Sequence, residues 1–233
     1  MLERFHVPED VAIRVMPDKM MATVKEIFIK MGMTDDDAIQ AADVLLYADV
    51  RGIETHGVSN MLRGYVKSFG EGGINPNRKL NTIREMGAVA TIDSDGGHGL
   101  VVGPHAMNIA IEKAKNFGIG SVTAMNGRHF GAAAYHAAMA LKHDMIGISM
   151  TTGGMNVVPV DGAKPMVGLN PIGIAVPTDE EPPFIFDAST SSVAGNKIIL
   201  ASRLGVPVMP GWVARGDGSP LMEEEMAPDD FMM

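Results

Sequence analysis

The chain has 233 residues, 46% of them hydrophobic and 20% charged, which is the composition of a folded globular protein and excludes a wholly disordered one. A formal net charge of −9 argues against nucleic acids and anionic membranes as partners, because both require basic patches. The absence of cysteine excludes disulfide bonds and thiolate metal sites.

The beginning of the chain contains charged side chains and lacks the apolar core of a signal peptide. Nowhere does the sequence reach the roughly 18 consecutive apolar residues that a transmembrane helix requires. We therefore expect a cytoplasmic protein without a membrane-spanning segment.

Helical periodicity and helix-boundary residues dominate the N-terminal part of the chain. Residues 8–32 are predicted to be helical, and Pro17 opens the main part of this segment. Thr34 is an N-cap residue ahead of three aspartates, which predicts a second helix over residues 35–49. A third helix is predicted over residues 58–69.

A linker rich in glycine follows at residues 70–76, and the pattern changes beyond it. The rest of the chain alternates between strand and helix patterns, which predicts an α/β fold with a sheet covered by helices. We therefore place a helical N-terminal domain at residues 1–75 and an α/β domain at residues 76–233. Strands are predicted at residues 88–93, 119–125, 145–150, 172–176 and 184–186, and helices at residues 101–116, 131–143 and 193–204.

Histidines recur at a spacing of seven residues, first as His98 and His105, and then as His129, His136 and His143. Seven residues of helix rise about 10.5 Å, whereas zinc ligands lie about 2 Å from the metal, so these pairs cannot share one ion. We therefore predict no metal site. His136 and His143 are expected at the surface or at a helix end, where a positive charge favours the helix dipole.

A glycine-rich segment at residues 96–103 lies between a predicted strand and a predicted helix, as a dinucleotide-binding fingerprint does. The match fails because the pattern that begins at Gly97 requires a glycine where the chain has Val102. The segment therefore favours a tight glycine turn over a Rossmann nucleotide site.

Three positions carry polar groups of catalytic type. His129 and Arg128 lie between glycines after a predicted strand. An imidazole can take a proton from a hydroxyl group as its carbon loses hydride, and an arginine can hold a carboxylate or phosphate. Arg51 with His56 is a second pair of this kind. Asp187 leaves an apolar strand and could orient a histidine, bind a cofactor hydroxyl or cap a turn.

Taken together, these segments resemble the type-2 malate/L-lactate dehydrogenase family, which includes ureidoglycolate and sulfolactate dehydrogenases. The signature begins with Leu-Tyr-Ala-Asp-Val-Arg-Gly-Ile-Glu-Thr-His-Gly at residues 46–57 and continues with Gly-Arg-His-Phe-Gly-Ala at residues 127–132. Several spaced motifs in the same order make the resemblance specific for the family. Further matching segments lie at residues 146–151, 157–159, 169–171 and 186–190, and the resemblance covers residues 15–215.

The resemblance implies a fold with a helical N-terminal domain and a mixed α/β cofactor domain of non-Rossmann topology. It implies an oxidoreductase that transfers a hydride between NAD or NADP and a small 2-hydroxy or 2-oxo acid. It also implies a homodimer. Neither the particular acid nor the choice between NAD and NADP follows from the resemblance.

Site roles carry over from the family to matching positions of this chain. The catalytic residues implied are His129, as proton acceptor and donor, and His56; the substrate-binding residues are Arg51, Thr55 and Arg128; and the cofactor-binding residues are Gly153, Asp187, Ala188 and Ser189.

Two departures from the family pattern bear on activity. Relatives often have a polar side chain where this chain has Gly153, so a contact there would use the main chain. The family pattern also continues beyond Met233 with a Lys-Gly-Tyr-Gly motif that contacts the cofactor. We therefore expect a C-terminally truncated member with an incomplete α/β domain. The alternative is a non-catalytic relative that acts as a ligand-binding or dimerisation module.

Overall fold

Three helices are followed by a mixture of strands and helices, and the computed structural model describes residues 3–233. The helices are α1 (Pro17–Lys30), α2 (Asp35–Val50), α3 (Val58–Gly70), α4 (Gly99–Phe117), α5 (Ala133–Ala138) and α6 (Gly195–Leu204). The strands are β1 (Asn81–Met86), β2 (Val89–Asp93), β3 (Ser121–Met125), β4 (Gly147–Met150), β5 (Ile172–Val176) and β6 (Phe184–Ala188). The mixed α/β fold class is confirmed.

The strands form two small sheets with the orders β1-β2-β3 and β4-β5-β6. In the first sheet, β1 is antiparallel to β2, and β2 is parallel to β3. Asp93, the last residue of β2, pairs with Met125, the last residue of β3. Because the carboxyl ends of these two parallel strands meet at one edge, the loops that follow them lie side by side.

The chain divides into two compact units. The larger unit comprises Val15–Ser149 and Gly173–Phe186, and the smaller unit comprises residues 3–14, Met150–Ile172 and Asp187–Met233. This division does not follow the domain boundary near residue 76. That boundary stays a prediction, because the compact units of this chain need not coincide with the domains of its longer relatives.

The core of the larger unit forms where α1 packs on α2. The buried face of α2 is largely alanine, and these small side chains let neighbouring helices approach closely. Thr34 caps α2 as predicted, because its Oγ1 accepts a hydrogen bond from the N–H of Asp37. Buried members of this core include Val24, Phe28, Ala38, Ala41, Ala42, Leu45 and Tyr65.

Most predicted elements are confirmed within a few residues, and the differences have local causes. The prediction of helix for residues 8–16 is wrong, since Pro17 holds Met16 in an extended conformation and α1 begins at the proline. Strand β1 was not predicted because all of its side chains are exposed and show no apolar alternation.

Helix α5 is shorter than predicted, ending at Ala138 before a 3-10 turn at Leu141–His143. A side chain at Gly147 would overlap the carbonyl group of Ala137, so β4 passes directly against the end of α5. No helix in residues 3–233 is long and apolar enough to cross a lipid bilayer.

Candidate active site

The loop between β3 and α5 carries the Arg128-His129 pair, and backbone hydrogen bonds tie it to the turn after β2. The N–H of Arg128 donates to the carbonyl of Gly97 at 3.2 Å, and the N–H of Gly96 donates to the carbonyl of Asn126 at 3.2 Å. Asn126 adopts a positive φ of 59°, a conformation that asparagine tolerates well. The loop is therefore held at the shared carboxyl edge of β2 and β3.

Glycines let neighbouring elements come close to this loop. A side chain at Gly99, the first residue of α4, would overlap the carbonyl oxygens of both Arg128 and His129. Gly131 has a φ of +80°, and a side chain there would press on Leu100 of α4. The position of His129 thus depends on two residues that carry no side chain.

The His129 ring is fixed through one of its nitrogens. Its Nδ1 lies 2.7 Å from the hydroxyl of Tyr65 in α3, and it accepts a hydrogen bond from the N–H of Gly131 at 3.2 Å. The ring of His56 stacks beside it, with ring centroids 5.6 Å apart and planes 14° apart. The structure therefore brings together both histidines that were predicted to be catalytic.

The Thr55-His56 pair lies directly before α3. The Oγ1 of Thr55 is 2.8 Å from the Nδ1 of His56, and Asn60 donates to the carbonyl of Thr55 at 3.0 Å. The carboxylate of Asp49 accepts from the N–H of Val58 at 2.9 Å and supplies the cap that α3 otherwise lacks. Threonine and histidine are thus held at the beginning of a capped helix.

Desolvation lowers the pKa of His129 to about 4, and the nearby His56 and His136 add to this lowering. Solvent also reaches His129, which reduces the size of this shift. A lowered pKa keeps the imidazole neutral near pH 7. Neutral imidazole is the form that can accept a proton.

His98 packs behind this site as a buried structural residue. It is the N-cap of α4, where its Nδ1 accepts from the N–H of Leu100 at 3.3 Å. Its ring contacts those of Phe28, Tyr65 and Phe69, and burial lowers its pKa to about 3. The predicted glycine turn between strand and helix is confirmed at residues 94–98.

His136 lies in the last turn of α5, so the prediction of a helix-end position is confirmed, but the residue is buried rather than at the surface. It is 1% exposed, and its Nε2 donates to the carbonyl of Phe130 at 2.7 Å. The cause is the alanine-rich character of α5, which is buried along most of its length. A side chain at Gly103 of α4 would overlap the His136 ring, so the ring occupies space that a glycine leaves. Within residues 3–233, no group of three or more metal-ligating side chains has a geometry suited to an ion.

The two arginines predicted to bind substrate make contacts of different kinds. The Arg51 guanidinium lies over the Tyr47 ring, 3.7 Å from its centroid, and the residue is exposed. The Arg128 Nε donates to the carbonyl of Gly73 in the linker after α3. Arg128 is thereby engaged in holding the linker. Substrate binding by either arginine stays a prediction.

Comparison with known proteins decides the family. The sequence model described as malate/L-lactate dehydrogenase matches residues 15–230. The chain belongs to the malate/L-lactate dehydrogenase family. Malate dehydrogenase from Pyrococcus horikoshii is 41% identical over 219 residues, which are 94% of this chain and 60% of that protein. L-sulfolactate dehydrogenase from Methanocaldococcus jannaschii is 36% identical over 211 residues, 91% of this chain and 61% of that protein.

Solved structures agree with this assignment. The crystal structure of malate dehydrogenase from Entamoeba histolytica superposes with a TM-score of 0.86 at 33% identity, and the match covers 91% of this chain and 58% of that one. The structure of the Pyrococcus horikoshii enzyme gives a TM-score of 0.83 at 38% identity, covering 96% and 62%. The chain thus spans about 60% of the length of these malate/L-lactate dehydrogenase relatives.

The four residues predicted to bind the cofactor all lie in the smaller unit, and three of them are consecutive in sequence. The N–H of Gly153 donates to the side chain of Asn170 at 3.1 Å. The N–H of Thr190, which follows Ser189, donates to the carbonyl of Leu169 at 2.8 Å. Residues 169–170 therefore join the Gly153 segment to the segment that contains Asp187, Ala188 and Ser189.

Sequence reasoning missed two residues that shape the histidine site of this family member. Tyr65 gave no signal, because a tyrosine on the apolar face of a helix is usually a core residue. Gly99 lay within the failed nucleotide fingerprint. Its position directly after a predicted turn was a signal for close helix packing.

Proposed function

We propose that this chain carries the acid/base centre of an NAD(P)-dependent dehydrogenase for small 2-hydroxy and 2-oxo acids. The observation that carries the proposal is the pairing of His129 with His56 at the carboxyl edge of β2 and β3. Membership of the malate/L-lactate dehydrogenase family supports it.

His129 exchanges the substrate proton in this proposal. Its Nδ1 is taken by Tyr65 and Gly131, which leaves the other ring nitrogen for the substrate. In oxidation the Nε2 of a neutral ring whose proton lies on Nδ1 accepts the proton of the 2-hydroxyl group, and in reduction the doubly protonated ring returns it to the 2-oxo oxygen. A bound carboxylate raises the pKa of a nearby imidazole, which offsets the desolvation that lowers it in the free protein.

His56, Thr55 and Arg51 are proposed to bind the acid. The ring of His56 stacks beside the ring of His129, and the Oγ1 of Thr55 is hydrogen-bonded to the Nδ1 of His56. Thr55 and His56 therefore present a fixed polar surface. Arg51 follows α2 and is exposed, and its guanidinium can hold a carboxylate through two parallel hydrogen bonds. Arg128 ranks below Arg51 as a substrate ligand because Gly73 and Asn126 already accept its hydrogen bonds.

The loops of the smaller unit fit part of a dinucleotide. The hydroxyl of Ser189 and the carboxylate of Asp187 suit ribose hydroxyl groups, and Gly153 brings main chain rather than side chain to the loop cluster. These residues would hold NAD or NADP. When bound, the nicotinamide supplies the hydride on reduction of the acid and receives it on oxidation.

Relatives named malate dehydrogenase and L-sulfolactate dehydrogenase suggest the substrate class. Malate and sulfolactate are both 2-hydroxy acids with a second acidic group. We propose that the protein interconverts a 2-hydroxy acid of this kind and the corresponding 2-oxo acid. A homodimer, as implied by the family resemblance, is proposed for the protein and is measurable by light scattering.

The test is a spectrophotometric assay of NADH and NADPH oxidation with a panel of 2-oxo acids. We expect turnover with at least one acid, and we expect His129→Ala to lower kcat by about 100-fold or more. His143→Ala is the matched control, since His143 lies in the 3-10 turn after α5, and it should leave turnover unchanged. Turnover that survives His129→Ala would contradict the proposal. Binding of NADH by fluorescence without any turnover would favour the non-catalytic alternative.

A further inference from the structure

The shortest hydrogen bond to the His129 ring comes from a residue to which no catalytic role has been given. The hydroxyl of Tyr65 lies 2.7 Å from the Nδ1 of His129, which is the shorter of the two hydrogen bonds at that nitrogen. Tyr65 comes from α3, whereas His129 lies in the loop after β3. The contact therefore joins two elements that are far apart in sequence.

Tyr65 is itself immobilised by the core. It is 4% exposed, and its ring packs edge-on against the ring of His98, with centroids 4.4 Å apart. His98 in turn caps α4. Only the hydroxyl of Tyr65 is thus presented to the site. Because burial raises the pKa of Tyr65 above its ordinary value of 10, this hydroxyl keeps its proton at any working pH.

The hydrogen bonds at Nδ1 determine the tautomer of His129. A backbone N–H can only donate, so the hydrogen bond from Gly131 requires an Nδ1 without a proton. The Tyr65 hydroxyl then also donates to Nδ1, and the proton of the neutral ring resides on Nε2. In this state His129 offers an N–H donor that matches the 2-oxo oxygen of an acid awaiting reduction.

A tyrosine hydroxyl can also accept, which the Gly131 N–H cannot do. When His129 is protonated on both nitrogens, its Nδ1–H can donate to the oxygen of Tyr65. Transfer of the Nε2 proton to the substrate oxygen then leaves a neutral ring with its proton on Nδ1, still bonded to Tyr65. One partner can therefore hold the ring before and after the proton moves.

We propose that Tyr65 is a positioning residue that holds the orientation of His129 through Nδ1, as a hydrogen-bond donor when Nδ1 is unprotonated and as an acceptor when it is protonated. The inference rests on the proposed function for its catalytic consequence, but the hydrogen bond at Nδ1 can be observed without any turnover. Tyr65 acts through His129 and does not itself exchange a proton with the substrate.

The test is ¹⁵N NMR of the histidine side chains in the purified protein, with His129 assigned by comparison with His129→Asn. In the unsubstituted protein above pH 7 we expect the Nε2–H tautomer. In Tyr65→Phe, which keeps the buried ring, we expect the Nδ1 resonance of His129 to move, because Nδ1 loses the shorter of its two hydrogen bonds while the N–H of Gly131 still donates to it. The kcat of Tyr65→Phe should fall roughly tenfold with a smaller change in KM, as for the loss of one hydrogen bond to a reacting group.

Tyr135→Phe is the matched control. It also removes a tyrosine hydroxyl, but that hydroxyl donates to Asp43 at 2.6 Å rather than to His129. We expect it to leave the Nδ1 resonance of His129 unchanged. An Nδ1–H tautomer in the unsubstituted protein, or identical spectra and pH–rate profiles for Tyr65→Phe, would overturn the inference. The expected resonance shift without turnover on any 2-oxo acid would support the role of Tyr65 and contradict the proposed function.

Discussion

The loop that contains His129 and the helix that contains His136 are neighbours in sequence but use their histidines in opposite ways. His136 is buried, and its Nε2–H donates a hydrogen bond to the carbonyl of Phe130. His129 receives its hydrogen bonds at Nδ1, which leaves Nε2 for a ligand, and solvent reaches the residue. The same side chain is therefore a packing element in one region and a candidate acid/base in the other.

Glycines account for much of this difference. Gly103 leaves room for the His136 ring against α4, whereas Gly99 lets α4 approach the backbone of His129 without covering its ring. In both places the helix α4 determines what a histidine can contact. The residue opposite a histidine, rather than the histidine's own neighbours in sequence, thus decides what its ring can contact.

The largest expected effect separates the two histidines by activity. His129→Asn should lower kcat by roughly 100- to 10,000-fold, the usual worth of a general acid/base, while the melting temperature changes little. His136→Asn should keep the kcat of the folded protein but lose about 1–3 kcal/mol of stability, because the shorter side chain leaves the Phe130 carbonyl unpaired. Steady-state kinetics and thermal melts of both variants check this. Equal losses of kcat in His129→Asn and His136→Asn would show that the two histidines do not differ in their catalytic importance.

The next effect tests the glycine that positions the loop. Gly99→Ala should destabilise the protein by about 1–3 kcal/mol and also lower kcat, since the added methyl would push the His129 backbone away. Gly64→Ala in α3 is the control, because nothing lies near its added methyl and alanine favours a helix. Chemical denaturation and kinetics of both variants provide the measurement. A Gly99→Ala protein as stable and active as the parent would show that close approach of α4 is unnecessary.

The smallest effect is a pH dependence of stability from the buried histidines. The pKa of His136 falls from its ordinary 6.5 to about 4 on folding because of burial, so the unfolded chain binds a proton between these values and the folded chain does not. Stability should therefore fall as the pH drops below 6.5 and level off near pH 4, by at most about 1.4 kcal/mol per pH unit from this group. His98, with a pKa of about 3, acts in the same direction.

Urea denaturation at a series of pH values between 7.5 and 5 measures this slope. His136→Asn should reduce the slope, whereas Gly64→Ala, which removes no ionisable group, should not. A slope that is unchanged in His136→Asn would mean that its ring is not buried in its neutral form.

Much of the fold could be predicted from the chain because its signals are local. Thr34 and the three aspartates after it mark the start of α2, and Gly118 and Gly205 end α4 and α6 in the left-handed conformation. Exposed β1 gave no such signal, since a strand without an apolar face has no alternation to detect.

The candidate site was predictable only in part. His129, His56 and Thr55 lie in motifs that point to the chemistry of an acid/base and its partner, and the structure places them together. The contact of Arg128 with Gly73 could not be foreseen, because it joins a loop to a linker distant in sequence. The substrate roles of Arg51 and Arg128 stay predictions for the same reason.

The sequence by itself determined the family, most of the order of helices and strands, and the histidine after β3, because motifs and helix caps are properties of neighbouring residues. Only the tertiary structure decided that Tyr65 bonds to His129 and that His136 is buried, because these outcomes depend on which side chains from distant segments share a space. Hydrogen-bond partners at 2.7 Å are set by packing between elements, and packing is a property of the folded chain.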